Sequence, residues 1–111
     1  MNYNNKSFRT VSNSENGETS SATIFTYKQD GNILSATYKG GEIVAGQLIG
    51  LVDKDGNIEM SYHQINIKGE LLTGKCKSTP EIMQNGKIRL HEKWQWTSGD
   101  CSKGESIIEE I

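Results

Sequence analysis

The sequence predicts an all-β fold, an eight-stranded antiparallel up-and-down barrel, and three observations carry that prediction. Apolar and polar residues alternate with a period of two along most of the chain, the spacing of strands with one buried face. Glycine-bearing turns recur near residues 31, 40–41, 56, 69, 86 and 99–104, at the short intervals of consecutive hairpins. No segment carries an apolar stripe at helical spacing. Short strands joined in sequence form a meander, and a meander of about eight strands loses its edges by closing on itself. A β-sandwich would need a long crossover, for which Asn13–Ser20 is the best candidate segment.

The first strand is expected near Lys6–Val11, where Phe8 and Val11 stand among polar residues. Asn13–Ser20 is rich in turn formers, Asn16-Gly17 foremost, and reads as a loop. Ser21–Lys28 gathers β-branched and aromatic residues from Thr23 to Tyr27, which suit a pleated surface. Asp30-Gly31-Asn32 then turns the chain into a hairpin partner, Ile33–Lys39. Gly40-Gly41 leads to Glu42–Val52, the most hydrophobic stretch, broken by Gly46 and Gly50. Glycines inside a strand mark a bulge, a bend or a close backbone approach.

Asp53-Lys54-Asp55-Gly56-Asn57 begins like a calcium loop. Gln64 stands where the loop's twelfth-position glutamate belongs, so the calcium reading fails. Ile58–Ile67 puts Ile58, Met60, Tyr62 and Gln64 on one face, and Glu59, Ser61 and His63 on the other. Lys68-Gly69 turns into Glu70–Ser78. Pro80, the single proline, ends that strand or sits at an edge, because it has no N–H for a ladder. Asn85-Gly86 is another hairpin turn, Ser98–Gly104 is a loop, and Glu105–Ile111 closes the chain.

Between these last turns lies Lys87–Thr97, the strand around which the core is expected. One face carries Ile88, Leu90, Glu92, Trp94 and Trp96; the other carries Lys87, Arg89, His91, Lys93 and Gln95. Both tryptophans of the protein fall on the apolar face, where their area dominates packing. Glu92 is the one residue out of pattern.

Composition bounds the rest. A chain of 111 residues, 33% hydrophobic, makes one domain, residues 1–111, with a small core built from few large side chains. The formal net charge of −2 gives no electrostatic case for nucleic acid or an anionic membrane. No apolar run approaches the roughly 20 residues of a membrane helix, and no secretory signal opens the chain. A cytoplasmic protein is therefore expected, with Cys76 and Cys101 as free thiols. These cysteines and the two histidines, His63 and His91, match no zinc spacing, so neither metal nor cofactor is expected.

Four polar groups are expected to point inward: Glu92, Gln64 and the Tyr62 hydroxyl by alternation, and Gln47 with them. With Trp94 and Trp96 as stacking walls, they describe a pocket for one small molecule inside a barrel. Glu92 would then accept hydrogen bonds from a ligand amine, amide or hydroxyl. The competing reading is structural: Glu92 pairs with an inward Lys, Arg or Tyr, or a bulge turns it to solvent. Tyr62 and Gln64 can likewise serve local backbone groups. His63 and His91 fall on outer faces. Lys87, Arg89 and Lys93 neighbour the tryptophans in sequence but face the opposite way, whereas a nucleic-acid stacking platform needs both on one exposed face. No catalytic residue emerges. The serines lack a nucleophile-elbow context and neither cysteine has a neighbouring histidine, while Glu81 or Glu109 could partner Glu92 only if the fold brought them together.

Several segments carry a resemblance: Gly46-Gln47-Leu48-Ile49-Gly50-Leu51-Val52-Asp53, Tyr62-His63-Gln64, Ser78-Thr79-Pro80-Glu81 and above all Arg89-Leu90-His91-Glu92-Lys93-Trp94-Gln95-Trp96-Thr97-Ser98-Gly99-Asp100. Over nearly its whole length the chain resembles a family of small bacterial lipocalin-like (calycin-like) β-barrel proteins, often named N-acetylglutamate synthase. That name implies acetyl transfer from acetyl-CoA. Such chemistry in the usual acetyltransferase fold needs a glycine-rich loop opening a helix whose N-terminus cradles the pyrophosphate, and the chain has neither. The expectation is thus a monomer or weak homodimer binding a small, partly apolar ligand inside a barrel. The alternative is a protein–protein interaction module using an outer face or a sheet edge, and the weaker alternative is an enzyme.

Overall fold

The computed structural model describes residues 1–111. Its strands are β1 (Ser7–Asn13), β2 (Ile24–Asp30), β3 (Ile33–Gly40), β4 (Ile43–Val52), β5 (Ile58–Asn66), β6 (Leu71–Ile82), β7 (Ile88–Trp96) and β8 (Lys103–Glu110). Each strand pairs antiparallel with the next, and β8 returns to pair with β1, so the sheet closes into a barrel. The predicted all-β, eight-stranded meander is the observed fold. Closure leaves no free edge, which removes the sheet-edge version of the interaction-module reading. Asn13–Ser20 is no crossover either, since it joins the neighbours β1 and β2.

Alternation builds the wall. On β7, Ile88, Leu90, Glu92, Trp94 and Trp96 all turn inward and are buried. On β5, Ile58, Met60, Gln64 and Asn66 are buried with Tyr62 half-buried among them. Cross-strand rows alternate large and small side chains. Tyr38 lies opposite Gly46, Tyr62 opposite Gly74, and Trp94 opposite Gly104. A Cβ at any of these three glycines would overlap the facing ring. Of the three readings open for Gly46, close approach is the one realised, and the bulge in β4 falls earlier, between Ile43 and Ala45.

The barrel has two unlike ends. At the end reached by the start of β1, the rings of Tyr3, Phe8 and Tyr27 pack with centroids 4.7–6.4 Å apart. Leu34, Ile58, Leu90 and Ile108 complete that core. Tyr3 closes it like a stopper, its hydroxyl donating to the Gly56 carbonyl and its amide to Gln29 Oε1. At the other end the inward side chains turn polar, and the long β1–β2 loop covers the opening.

Two boundaries differ most from the sequence reading. β2 begins at Ile24 rather than Ser21, because Ser20–Thr23 closes a turn: the Thr23 amide donates to the Ser20 carbonyl and Thr23 Oγ1 to the Gly40 carbonyl. β6 runs through Pro80 to Ile82. β5 begins only at Ile58, opposite Ser78, so Pro80 pairs only with β7, at Leu90; it occupies a local edge, where a missing N–H is tolerated. The acidic turn at 53–57 is explained without an ion. Asp53 Oδ1 accepts the amides of Asp55 and Asn57, both at 2.9 Å, an Asx-type turn.

Candidate ligand site

Glu92 sits at the floor of the mouth, 9% exposed. It lies in register with Ser78 on β6 and Ser106 on β8. Both hydroxyls point inward and donate to it, Ser78 to Oε2 at 2.7 Å and Ser106 to Oε1 at 3.2 Å. No Lys, Arg or Tyr is bonded to Glu92 and no bulge turns it out; its bonded partners are the two serines. Burial pushes its carboxyl above the ordinary value, and the two serine hydroxyls pull the other way. Burial, then the charge of Glu92, raises the neighbouring Cys76 thiol well above the usual range. A thiol so placed is a poor nucleophile.

Above Glu92 stand the rings. Trp94 and Trp96 are tilted by 60° at 5.5 Å, Tyr62 meets Trp96 edge-on at 5.8 Å, and Phe25 stacks on Tyr38 at 4.7 Å. The glycines opposite Tyr38, Tyr62 and Trp94 let those rings lie against the wall, which leaves space on the axis. The cavity volume is ≈ 60 Å³. That is several times the roughly 10–15 Å³ one water needs and well short of the roughly 300 Å³ of a drug-sized pocket.

The lid is the segment between β1 and β2. Trp94 Nε1 donates to Asn13 Oδ1 at 3.2 Å and Trp96 Nε1 to the Asn16 carbonyl at 3.1 Å. Glu18 is bound on both oxygens, by Gln64 Nε2 at 2.8 Å and by Asn66 Nδ2 at 2.8 Å. Gln64 in turn accepts the Tyr38 hydroxyl at 2.8 Å. A directed chain, Tyr38 to Gln64 to Glu18, thus fixes the loop over the cavity.

Of the residues singled out in the sequence, Glu92, Trp94, Trp96, Tyr62 and Gln64 come together around one cavity. Gln47 does not. It alternates with inward Leu48, so its side chain is exposed and meets His63 Nε2 on the outer wall at 3.2 Å. Glu81 and Glu109 are also outside, both on Arg89, so neither forms a carboxylate pair with Glu92. Tyr38, Ser78 and Ser106 were missed although alternation places all three inward. Nothing in the spacing marks Glu18, since loop side chains follow no period, or Asn13, which lies past the register shift in β1.

A closed eight-stranded barrel with a capped, aromatic-lined mouth belongs to the calycin type of fold. A family model described as avidin-like protein matches residues 1–111. The chain belongs to the avidin-like family. That match mentions neither N-acetylglutamate synthesis nor a bacterial source, so the resemblance holds for the barrel and not for the inherited label. No curated protein matches the chain.

Proposed function

We propose that the protein binds a small, partly apolar molecule in the mouth of the barrel. The observation that carries this reading is a buried carboxylate at the floor of an aromatic-walled cavity, with no protein cation to neutralise it. A structural role alone would favour an apolar residue there, since a buried charge costs free energy that only partners recover. Membership of the avidin-like family supports the reading, because barrels of this type bind small ligands, biotin among them. The test is tryptophan emission of the purified protein, titrated against a small-molecule library that includes acetyl-CoA, glutamate and fatty acids. Trp94 and Trp96 both line the cavity, so an occupant must change their emission. A saturable change that is weakened in Glu92→Gln is the expected result. Emission unmoved by every compound would overturn the proposal.

A second reading rests on the outer wall. Ile33, Ile49, Leu51, Ile65 and Leu71 are exposed, and the register sets Ile33 beside Leu51 and Ile65 beside Leu71. Such groups of exposed apolar residues on β3–β6 suit contact with another chain. Light scattering behind size exclusion checks it: an oligomer that Ile49→Lys converts to monomer supports this reading, and a monomer at all concentrations opposes it.

A further inference from the structure

The charges around the cavity narrow the chemical class of its occupant, given the binding function just proposed. The lining holds two carboxylates, Glu92 in the floor and Glu18 in the lid, and no lysine, arginine or histidine. Each oxygen of Glu92 takes one serine hydroxyl, which leaves about half of a carboxylate's roughly four acceptor positions unfilled. Glu18 receives two amide donors aligned by Tyr38 and Gln64, an arrangement that orients its charge over the opening. Of the rings between the two acids, Tyr38 stacks on Phe25, while Trp94 and Tyr62 incline against Trp96 at 60° and 69°. Aromatic faces gathered around a cavity are how proteins surround quaternary and alkylated ammonium groups.

We infer that the occupant is a small organic cation, an alkylammonium whose head lies among Tyr38, Tyr62, Trp94 and Trp96 with Glu92 and Glu18 as counter-charges. An anionic ligand would meet two carboxylates and no compensating cation. A metal ion is a poorer fit, because no three His, Cys, Asp or Glu side chains converge and hard cations require several such oxygens. Alkyl groups on the nitrogen use the apolar ring surface that a bare ammonium would leave idle.

The inference carries a pH dependence. The titratable groups facing Glu92 are Cys76 on β6, Tyr27 on β2, Tyr38 on β3 and Tyr62 on β5. Burial raises all of them, so all are neutral at ordinary pH, and Glu92 alone changes charge at the floor. A bound cation favours its ionised form. Affinity therefore rises as pH rises through the raised value of the Glu92 carboxyl, and binding releases a proton.

The test uses three molecules of nearly one shape: choline, its neutral analogue 3,3-dimethyl-1-butanol, and the anion 3,3-dimethylbutanoate. Each is titrated into the intact protein while tryptophan emission is followed. Choline is expected to saturate with a Kd at least about tenfold below that of the alcohol, a difference of roughly 1.4 kcal/mol, and the carboxylate is expected not to bind. In Glu92→Gln, checked for native circular dichroism, the choline advantage falls towards the alcohol. Alcohol or carboxylate binding as tightly as choline to the wild type would overturn the cationic assignment while leaving the ligand-binding function standing. Silence from all three and from the wider library would overturn both. The wild-type series decides the matter even where the variant fails to fold.

Discussion

The two ends of the barrel interior are built by one alternation rule and come out chemically opposite. At the stoppered end, Tyr3, Phe8, Leu34, Ile58, Leu90 and Ile108 are each at most 2% exposed, and their rings and branches fill the axis. At the mouth, glycines opposite Tyr38, Tyr62 and Trp94 draw the rings to the wall, and Glu92, Gln64 and Glu18 take the places of aliphatic side chains. One end is sealed by a tyrosine within the core, the other by a polar loop hydrogen-bonded to it. The difference teaches that a barrel of this size has a choice between packing and vacancy, and that a small residue opposite each large one decides it.

The sharpest way to break the comparison is to truncate each end. Leu90→Ala removes a fully buried side chain from the filled end and is expected to cost about 2–5 kcal/mol. Leu48→Ala, beside existing space at the mouth, is expected at the lower limit of that range. Equal losses in denaturant unfolding would mean that the two ends are packed alike. Next in size is Gly74→Ala, whose added methyl drives the Tyr62 ring into the cavity, an overpacking cost of about 1–3 kcal/mol. Thermal unfolding and loss of ligand response together check it.

Glu92→Gln tests the polar end through pH. A carboxyl raised by burial contributes most below the unfolded value of about 4.3, and that contribution is lost as pH rises through the folded value. The variant keeps a side chain of the same shape but cannot ionise. Its stability relative to wild type is expected to improve as pH rises from the unfolded value through the raised folded value and to level off above it in thermal melts; a constant difference would show that Glu92 is not a desolvated acid. The smallest effect is expected from Glu18→Gln. Weakening two charge-assisted hydrogen bonds at a half-exposed lid costs about 1 kcal/mol or less. Amide exchange should quicken in residues 14–23 and stay unchanged around Leu90.

Much of this was legible in the chain because a strand writes its two faces into the sequence. Every second residue from Ile88 to Trp96 faces inward as alternation requires, and so does the series Ile58, Met60, Tyr62, Gln64. The turns announced themselves through Asp30-Gly31 and Asn85-Gly86, whose glycines take φ of 62° and 83°, values that disfavour other residues. Gln47 was misplaced because Glu42–Val52 is apolar on both faces and offers no contrast to set its phase, and the bulge at its start adds to the ambiguity. Pro80 left a strand end and an edge both open, because edge character depends on where the neighbouring strand stops.

By itself, the sequence determined that this protein is all-β, how many strands it has, where most of them turn, and that a carboxylate would stand on the apolar face of its tryptophan strand. Those are local facts, set by period and turn chemistry. Only the tertiary structure decided that Ser78 and Ser106 flank Glu92, that glycines and rings meet across strands, and that Glu18 closes the mouth. These depend on strand register and on the path of a loop, and neither has a period. Contacts between residues 46 positions apart, such as Glu18 and Gln64, exist only once the barrel has closed.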